Sequence, residues 1–282
     1  MGGISSFDRR SPVMSPLLPV QVAVDGSPSG WTALAWAARV AERGAVPLEV
    51  LHVMPRDLLS AVTGSDQQVL DGEAVTAEVL ERVQRLVPGV EVGTRVLRGS
   101  PQNILLAESR LAGLLVMGTR GLTGLHGWWV GSVSRAVAEH ALCPVVVCKT
   151  AADGQDAPPL PTGDVVVVVD PAVPALGVVD FAFRAAMLTV GTVQLIAEPA
   201  DADALRELLE RQQARFPELA IKVRAAAGAP EAELVAASQR AGLVVVGRPT
   251  ELSLLGNTHP GIAAAVLEKA ECPVAVVPIG RH

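Results

Sequence analysis

The chain has 282 residues, half of them apolar and 18% charged, with a formal net charge of −6. That length can bury one large core or two ordinary ones, and an acidic surface lacks the cations that displace counterions from phosphates, which excludes DNA and RNA as expected partners. No run of 18 apolar residues exists, and strand-like runs such as Val165 to Val169 are far too short for a bilayer, so no membrane partner is expected and a cytoplasmic location is the default.

Residues 1–18 are rich in Gly, Ser and Pro without periodicity and read as a flexible tail. Arg9-Arg10 matches the pair of a twin-arginine signal, but no continuous apolar region follows it. From residue 19 strand and helix patterns alternate. Val20, Val22 and Val24 alternate into Asp25, and Gly26-Ser27-Pro28 supplies a turn, an N-cap and a first-turn proline. The helix opened there runs to about Arg43, with Trp31, Leu34, Ala35 and Ala38 at helical spacing and Gly44 where a left-handed C-cap is expected. Leu48 to Val53 is the second strand, Glu73 to Val87 the second helix with Val75, Val79, Val83 and Leu86 inward, and Val92 to Leu97 the third strand. Gly99-Ser100-Pro101 repeats the turn, cap and proline device and opens a helix over Ile104, Leu105, Ala107, Glu108 and Leu111. Leu114 to Met117 is the fourth strand, Ser132 to Ala141 the fourth helix and Val145 to Cys148 the fifth strand. Strands joined by helices are parallel with right-handed crossovers, so the expected architecture is a doubly wound α/β sheet. With aromatics at 3% and no Tyr, its core must be built from Val, Leu and Ala, which suits parallel strands covered on both faces.

The segment between the fourth strand and fourth helix carries the chemistry. Gly118 and Gly121 leave no side chain in the way of a ligand, while Gly131, Ser132 and Ser134 put bare amides and hydroxyls at a helix N-terminus, a combination that favours phosphate. A Walker loop would need Lys after its last Gly, and the lysines stand elsewhere, at 149, 222 and 269. A dinucleotide fingerprint would follow the first strand, not the fourth. Asp25, at the end of the first strand, reads either as a turn residue capping its own helix or as a carboxylate for ribose hydroxyls. His52, His126 and His140 share no spacing with carboxylates or cysteines, so neither a zinc site nor a triad is expected. Trp128-Trp129 reads as packing, and the three cysteines as reduced structural thiols.

The spacing Gly118-x2-Gly121-x9-Gly131-Ser132 resembles the nucleotide loop of the universal stress protein family, in its ATP-binding branch. Val22-Ala23-Val24-Asp25-Gly26-Ser27 resembles the family's first strand and turn, Leu51-His52-Val53 its second strand, and Ala141 to Val147 its last; the likeness covers about 260 residues. It implies strand order 3-2-1-4-5, which brings the loops after Asp25 and Met117 together at the switch point where ligands bind. It also implies ATP as the ligand, with magnesium and slow hydrolysis left open. By the same resemblance Asp25 meets ribose, Ser132 and Ser134 meet phosphate, Val53 and Met117 lie against adenine, and Ala23 offers a backbone contact; Val133 completes the set. Arg120 stands between a phosphate or metal contact and a solvated loop residue. The function implied is a nucleotide-regulated stress protein, not a dedicated enzyme, because no residue around the loop is an evident base for activating water. A nucleotide-free interaction module and a slow ATPase are the alternatives. A synthetase or ATP pyrophosphatase is disfavoured, since neither a Ser-Gly-Gly loop after the first strand nor a His-x-Gly-His near the start is present.

Residues 150–163, dense in Ala, Asp, Gly and Pro, read as a linker between a first unit at 19–149 and a second at 164–280. Gly242-Leu243-Val244-Val245-Val246-Gly247 repeats Gly113 to Gly118 at an offset of 129, as Cys272-Pro273-Val274 repeats Cys143-Pro144-Val145, which marks a tandem duplication. In the repeat, Gly247-Arg248-Pro249-Thr250 replaces Gly118-Thr119-Arg120-Gly121, and Ile262 and Ala263 stand where Val133 and Ser134 do. The second unit is therefore expected to be degenerate and nucleotide to bind only in the first. The units are expected to form an internal pseudo-dimer through Val145 to Cys148 and Val274 to Val277, with antiparallel pairing implied by the resemblance and a further homodimer left open.

Overall fold

A computed structural model describes residues 18–55, 66–119, 131–149, 163–171, 174–189, 191–198, 202–249 and 261–279. The tail, the linker, Arg120, Gly121 and Trp128-Trp129 lie outside these. In the first half the strands are β1 (Val20–Ala23), β2 (Leu48–Met54), β3 (Val92–Arg98), β4 (Leu114–Gly118) and β5 (Val145–Cys148). They are joined by α1 (Pro28–Gly44), α2 (Asp66–Leu86), α3 (Pro101–Glu108) and α4 (Ser132–His140). The second half repeats the rhythm with β6 (Asp164–Val169), α5 (Leu176–Thr189), β7 (Val193–Ala197), α6 (Ala202–Arg215), β8 (Ile221–Ala225), α7 (Pro230–Ser238), β9 (Ala241–Pro249), α8 (Ile262–Lys269) and β10 (Val274–Ile279).

All ten strands join one sheet in the order β3-β2-β1-β4-β5-β10-β9-β6-β7-β8. Each half thus has the order 3-2-1-4-5, and neighbours are parallel everywhere except at the seam, where β5 and β10 run antiparallel with Val147 opposite Val274 and Val145 opposite Val276. Exposed, these apolar edges would template aggregation. Mutual pairing leaves Val145, Val146, Val147 and Cys148 at 0–1% exposure, and each valine so buried is worth about 1.5–3 kcal/mol. Both helical layers are continuous across the seam. One packs Val20, Val22, Leu34 and Val79 with Val165, Phe183 and Leu195. The other packs Leu51, Leu115 and Val137 with Val244, Val266 and Val276.

Four local expectations are corrected. The left-handed residue ending α1 is Ala45 (φ 49, ψ 45), not Gly44, which remains helical; the Ala45 amide bonds back to Ala41 and Glu42, and its small side chain tolerates the conformation. Helix α2 starts at Asp66 rather than Glu73, so Gly72 is helical: a Cβ there would meet Val96 Cγ1 at 3.3 Å and Met54 Sδ at 3.4 Å, and its absence lets α2 lie on the sheet. Helix α3 ends at Glu108, because Ser109 donates its hydroxyl to the Leu106 carbonyl at 2.8 Å and Leu111 turns out to 57% exposure. Ser100 occupies the N-cap of α3 without a side-chain capping bond, whereas Ser27 at the N-cap of α1 accepts from the Gly30 amide at 3.1 Å.

Candidate functional site

The C-terminal ends of β1 and β4 lie side by side, Ala23 opposite Met117, so the turn after β1 and the segment after β4 meet at one point of the sheet. Asp25 shapes the first. Its Oδ1 accepts from the Ser27 amide at 3.0 Å and from Ser27 Oγ at 2.6 Å, a local turn that sets up the N-cap of α1. Gly26 supplies the positive φ of 84° that this turn requires. Gly30, which sequence reading overlooked, is equally constrained, since a Cβ on it would stand 2.9 Å from Asp25 Oδ1 and 3.3 Å from Ser27 Oγ. Its signal was its place in the first turn of the helix, five residues after Asp25.

Gly118 ends β4 against the first turn of α1. A Cβ at Gly118 would lie 2.6 Å from Ser29 Oγ and 2.7 and 2.8 Å from the Ser29 carbonyl carbon and oxygen, so only glycine lets the two elements approach this closely. Thr119 continues the ladder by donating its amide to the Cys148 carbonyl at 3.0 Å, and its own carbonyl receives the Gly131 amide at 2.6 Å. The chain therefore leaves the sheet at Thr119 and returns to the same place at Gly131. Gly131 is the N-cap of α4, and among the described residues no side chain caps that helix. The amides of Ser132, Val133 and Ser134 form its first turn, and Ser132 is exposed.

Ser134 is neither exposed nor free to donate. It is 3% exposed, and its hydroxyl donates to the Gly118 carbonyl at 2.8 Å, tying α4 to the end of β4. On the sheet face beneath α3 and α4, strand register aligns Ala23 and Met117, and Val53 follows Leu51, the partner of Ala23, on the same face. Met117 is buried there, with Ala23 and Val53 partly open beside it. His52 points the other way and its Nδ1 lies 2.8 Å from the Val24 carbonyl. The structure thus brings Ala23, Asp25, Val53, Met117, Gly118, Gly131, Ser132, Val133 and Ser134 to one end of β1, β2 and β4; Arg120 and Gly121 lie outside the described residues.

The corresponding place in the second half is built differently. Gly247 is the counterpart of Gly118, yet a Cβ on it would meet Ile279 Cδ1 at 2.7 Å and Val178 Cγ2 at 3.0 Å, apolar side chains where the first half has Ser29. Helix α8 begins at Ile262 after a left-handed Gly261 (φ 101), and α5 begins six residues after Asp170, whereas α1 begins three after Asp25. The thiols are inert structural groups: all three cysteines are free and buried, and burial pushes Cys143 and Cys272 up to about 12 and Cys148 higher still. Among the described residues no helix is long and apolar enough to cross a membrane, and no group of three or more His, Cys, Asp or Glu could hold a metal.

A family model described as "Universal stress protein family" matches residues 18–149 and 170–278. A universal stress protein of Mycobacterium tuberculosis is 30% identical over 269 residues, covering 90% of this chain and 97% of that protein. One of Mycolicibacterium smegmatis is 38% identical over 134 residues, which are 47% of this chain and 46% of its own length. Among solved structures, a universal stress protein from Archaeoglobus fulgidus matches with a TM-score of 0.73 at 19% identity, covering 93% of this chain and 98% of that one, a likeness of fold. Two matched units, a relative aligned over nearly its whole length and the duplicated 3-2-1-4-5 sheet agree: the chain belongs to the universal stress protein family.

Proposed function

We propose that the first half, residues 19–149, binds one adenine nucleotide, ATP, and that its occupancy regulates a stress response, while the second half, residues 164–280, holds none and serves as a fixed partner. The observation that carries this reading is the convergence, at the switch point of β1 and β4, of a glycine that admits no side chain with a helix N-terminus that, among the described residues, no side chain caps. Uncapped first-turn amides carry the positive end of the helix dipole and suit a phosphate. In this reading Ser132 adds its exposed hydroxyl and the amides of Val133 and Ser134 complete the anion contact, while the resemblance adds Arg120 and Gly121, outside the described residues, to the nucleotide contacts. Asp25 keeps Oδ2 for ribose, because the turn uses only Oδ1 among the described contacts. Ala23, Val53 and Met117 provide the apolar wall for adenine. In the second half Ile279 and Val178 crowd Gly247, and Ile262 and Ala263 bring no hydroxyls to the helix start, which supports a single site.

Isothermal titration of the full chain with ATP and magnesium tests this. A stoichiometry near one is expected, lost in Gly131→Val and weakened in Ser132→Ala; two equivalent sites, or no uptake by the unaltered chain, would overturn it.

A further inference from the structure

Helix α4 is held at both ends. Its start is tied to β4 by Ser134 and to Thr119 by the Gly131 amide. Its C-terminal cap, Ala141, offers a carbonyl that accepts from Arg248 Nη2 at 2.5 Å, and the next amide, Leu142, donates to Ser109 Oγ at 3.0 Å. Of these anchors, Arg248 alone comes from the other half. It arrives because β9 runs two residues past Gly247, whereas the first half leaves the sheet at Thr119, one residue past Gly118: Arg248 pairs with Pro278 and Pro249 with Ile279. That extension carries the arginine across the seam.

The mirror-related contact exists too. In the second half Lys149 Nζ donates to the Ala270 carbonyl at the end of α8, and the Glu271 amide donates to Ser238 Oγ at 3.0 Å. Ala141 and Ala270, Leu142 and Glu271, and Ser109 and Ser238 are counterparts at the 129-residue offset, but the cations are not: Arg248 corresponds to Thr119 and Lys149 to Pro278. Two unrelated residues reach the same carbonyl from across the seam. Arg248 does so in spite of burial, which leaves its Nε without a partner among the described residues and lowers its pKa.

We propose that Arg248 is a positioning residue for the nucleotide site of the first half, so that the extended end of β9 in the second half sets where the phosphate-facing amides of α4 stand. This rests on the reading of α4 as the phosphate helix. A nine-residue helix is a strut of about 12 Å, and its hydrogen-bonded ladder transmits a displacement of one end to the other. Direct attraction between Arg248 and a phosphate at that range changes affinity by less than about twofold in water but more where the pair is shielded from solvent, and it weakens with salt, so an effect that persists unchanged between about 0.1 M and about 0.5 M salt is mechanical.

The test is titration of the full chain with magnesium and ATP in four forms. Arg248→Met is expected to weaken binding by about five- to tenfold, a typical coupling between linked sites. Arg248→Lys restores affinity to within about twofold, because an ammonium already does this task at Ala270. Lys149→Met removes the matched contact from the helix without a site and leaves affinity within about twofold, although it and Arg248→Met lower the thermal midpoint alike. Arg248→Gln, too short to reach Ala141, gives the same weakening and keeps the test decisive if Met is not tolerated. Unchanged affinity in Arg248→Met and Arg248→Gln, or equal weakening by Lys149→Met, overturns the proposal while the site itself stands. No ATP uptake by the unaltered chain overturns both, and that failure is seen before any substitution is made.

Discussion

Gly118→Ala is the sharpest perturbation of the site, because the space it would fill is defined by backbone. The new Cβ would stand 2.7 Å from the Ser29 carbonyl carbon and 2.8 Å from its oxygen, and neither can rotate away as the 2.6 Å Ser29 Oγ contact could. Restoring an ordinary contact of 3.4 Å requires the start of α1 and the end of β4 to separate by about 0.7 Å. Shifts of this kind in a packed interior cost about 1–3 kcal/mol. The same motion pulls on the Ser134 bond to the Gly118 carbonyl, so ATP affinity should fall with stability. Gly247→Ala is the internal control. The nearest atoms to its Cβ would be side-chain atoms of Ile279 and Val178 rather than backbone, and the closest, Ile279 Cδ1, is the end of a side chain that can turn aside, so it should cost less than Gly118→Ala, about 1 kcal/mol, and leave ATP binding intact. Equilibrium urea unfolding of both variants, with unchanged m-values, measures the difference. A Gly118→Ala as stable as the parent, or a Gly247→Ala more damaging than it, would refute the reasoning.

Three further outcomes follow from other contacts. Ser27→Ala removes the N-cap of α1 and the 2.6 Å bond to Asp25, and should lower stability by about 1 kcal/mol in the same urea assay, with Ser27→Asn less harmful. Cys143 and Cys272, pushed up to about 12, hold about one part in ten thousand as thiolate at pH 8, so iodoacetamide should label neither in the folded chain by mass spectrometry and both once urea unfolds it. The Arg224 side chain, 2.5 Å from Glu233, holds that carboxyl below its ordinary value. A depressed pKa stabilises the fold above the unfolded value of about 4.3 and less as pH falls through the folded one. Glu233→Gln should therefore be less stable than the parent above about pH 5, with the gap closing towards pH 3.

The architecture was legible because its signals are local or repeated. Valine runs such as Val165 to Val169 mark buried parallel strands, and the 129-residue offset shows the duplication without any knowledge of contacts. The antiparallel meeting of β5 and β10 came from the resemblance and holds in the structure. What stayed hidden depends on pairs distant in sequence. Gly72 looks like a loop residue until Val96 and Met54 are seen beneath it. Ser134 looks like a solvated helix position until its hydroxyl is seen donating a hydrogen bond to the carbonyl of Gly118, 16 residues earlier. Arg248 is unremarkable in a degenerate loop; its reach to Ala141, 107 residues away, exists only because β9 keeps pairing with β10 past Gly247. Ala45 was missed for a different reason, since glycine one position earlier met the composition rule while the backbone turned one residue later.

The most direct test of the central claim is a crystal structure of the full chain grown with ATP and magnesium. Nucleotide density is expected once per chain, with phosphates on the first turn of α4 beside Gly118, ribose at Asp25 and adenine against Val53 and Met117. Density beside Gly247, in both halves, or in neither would contradict the account.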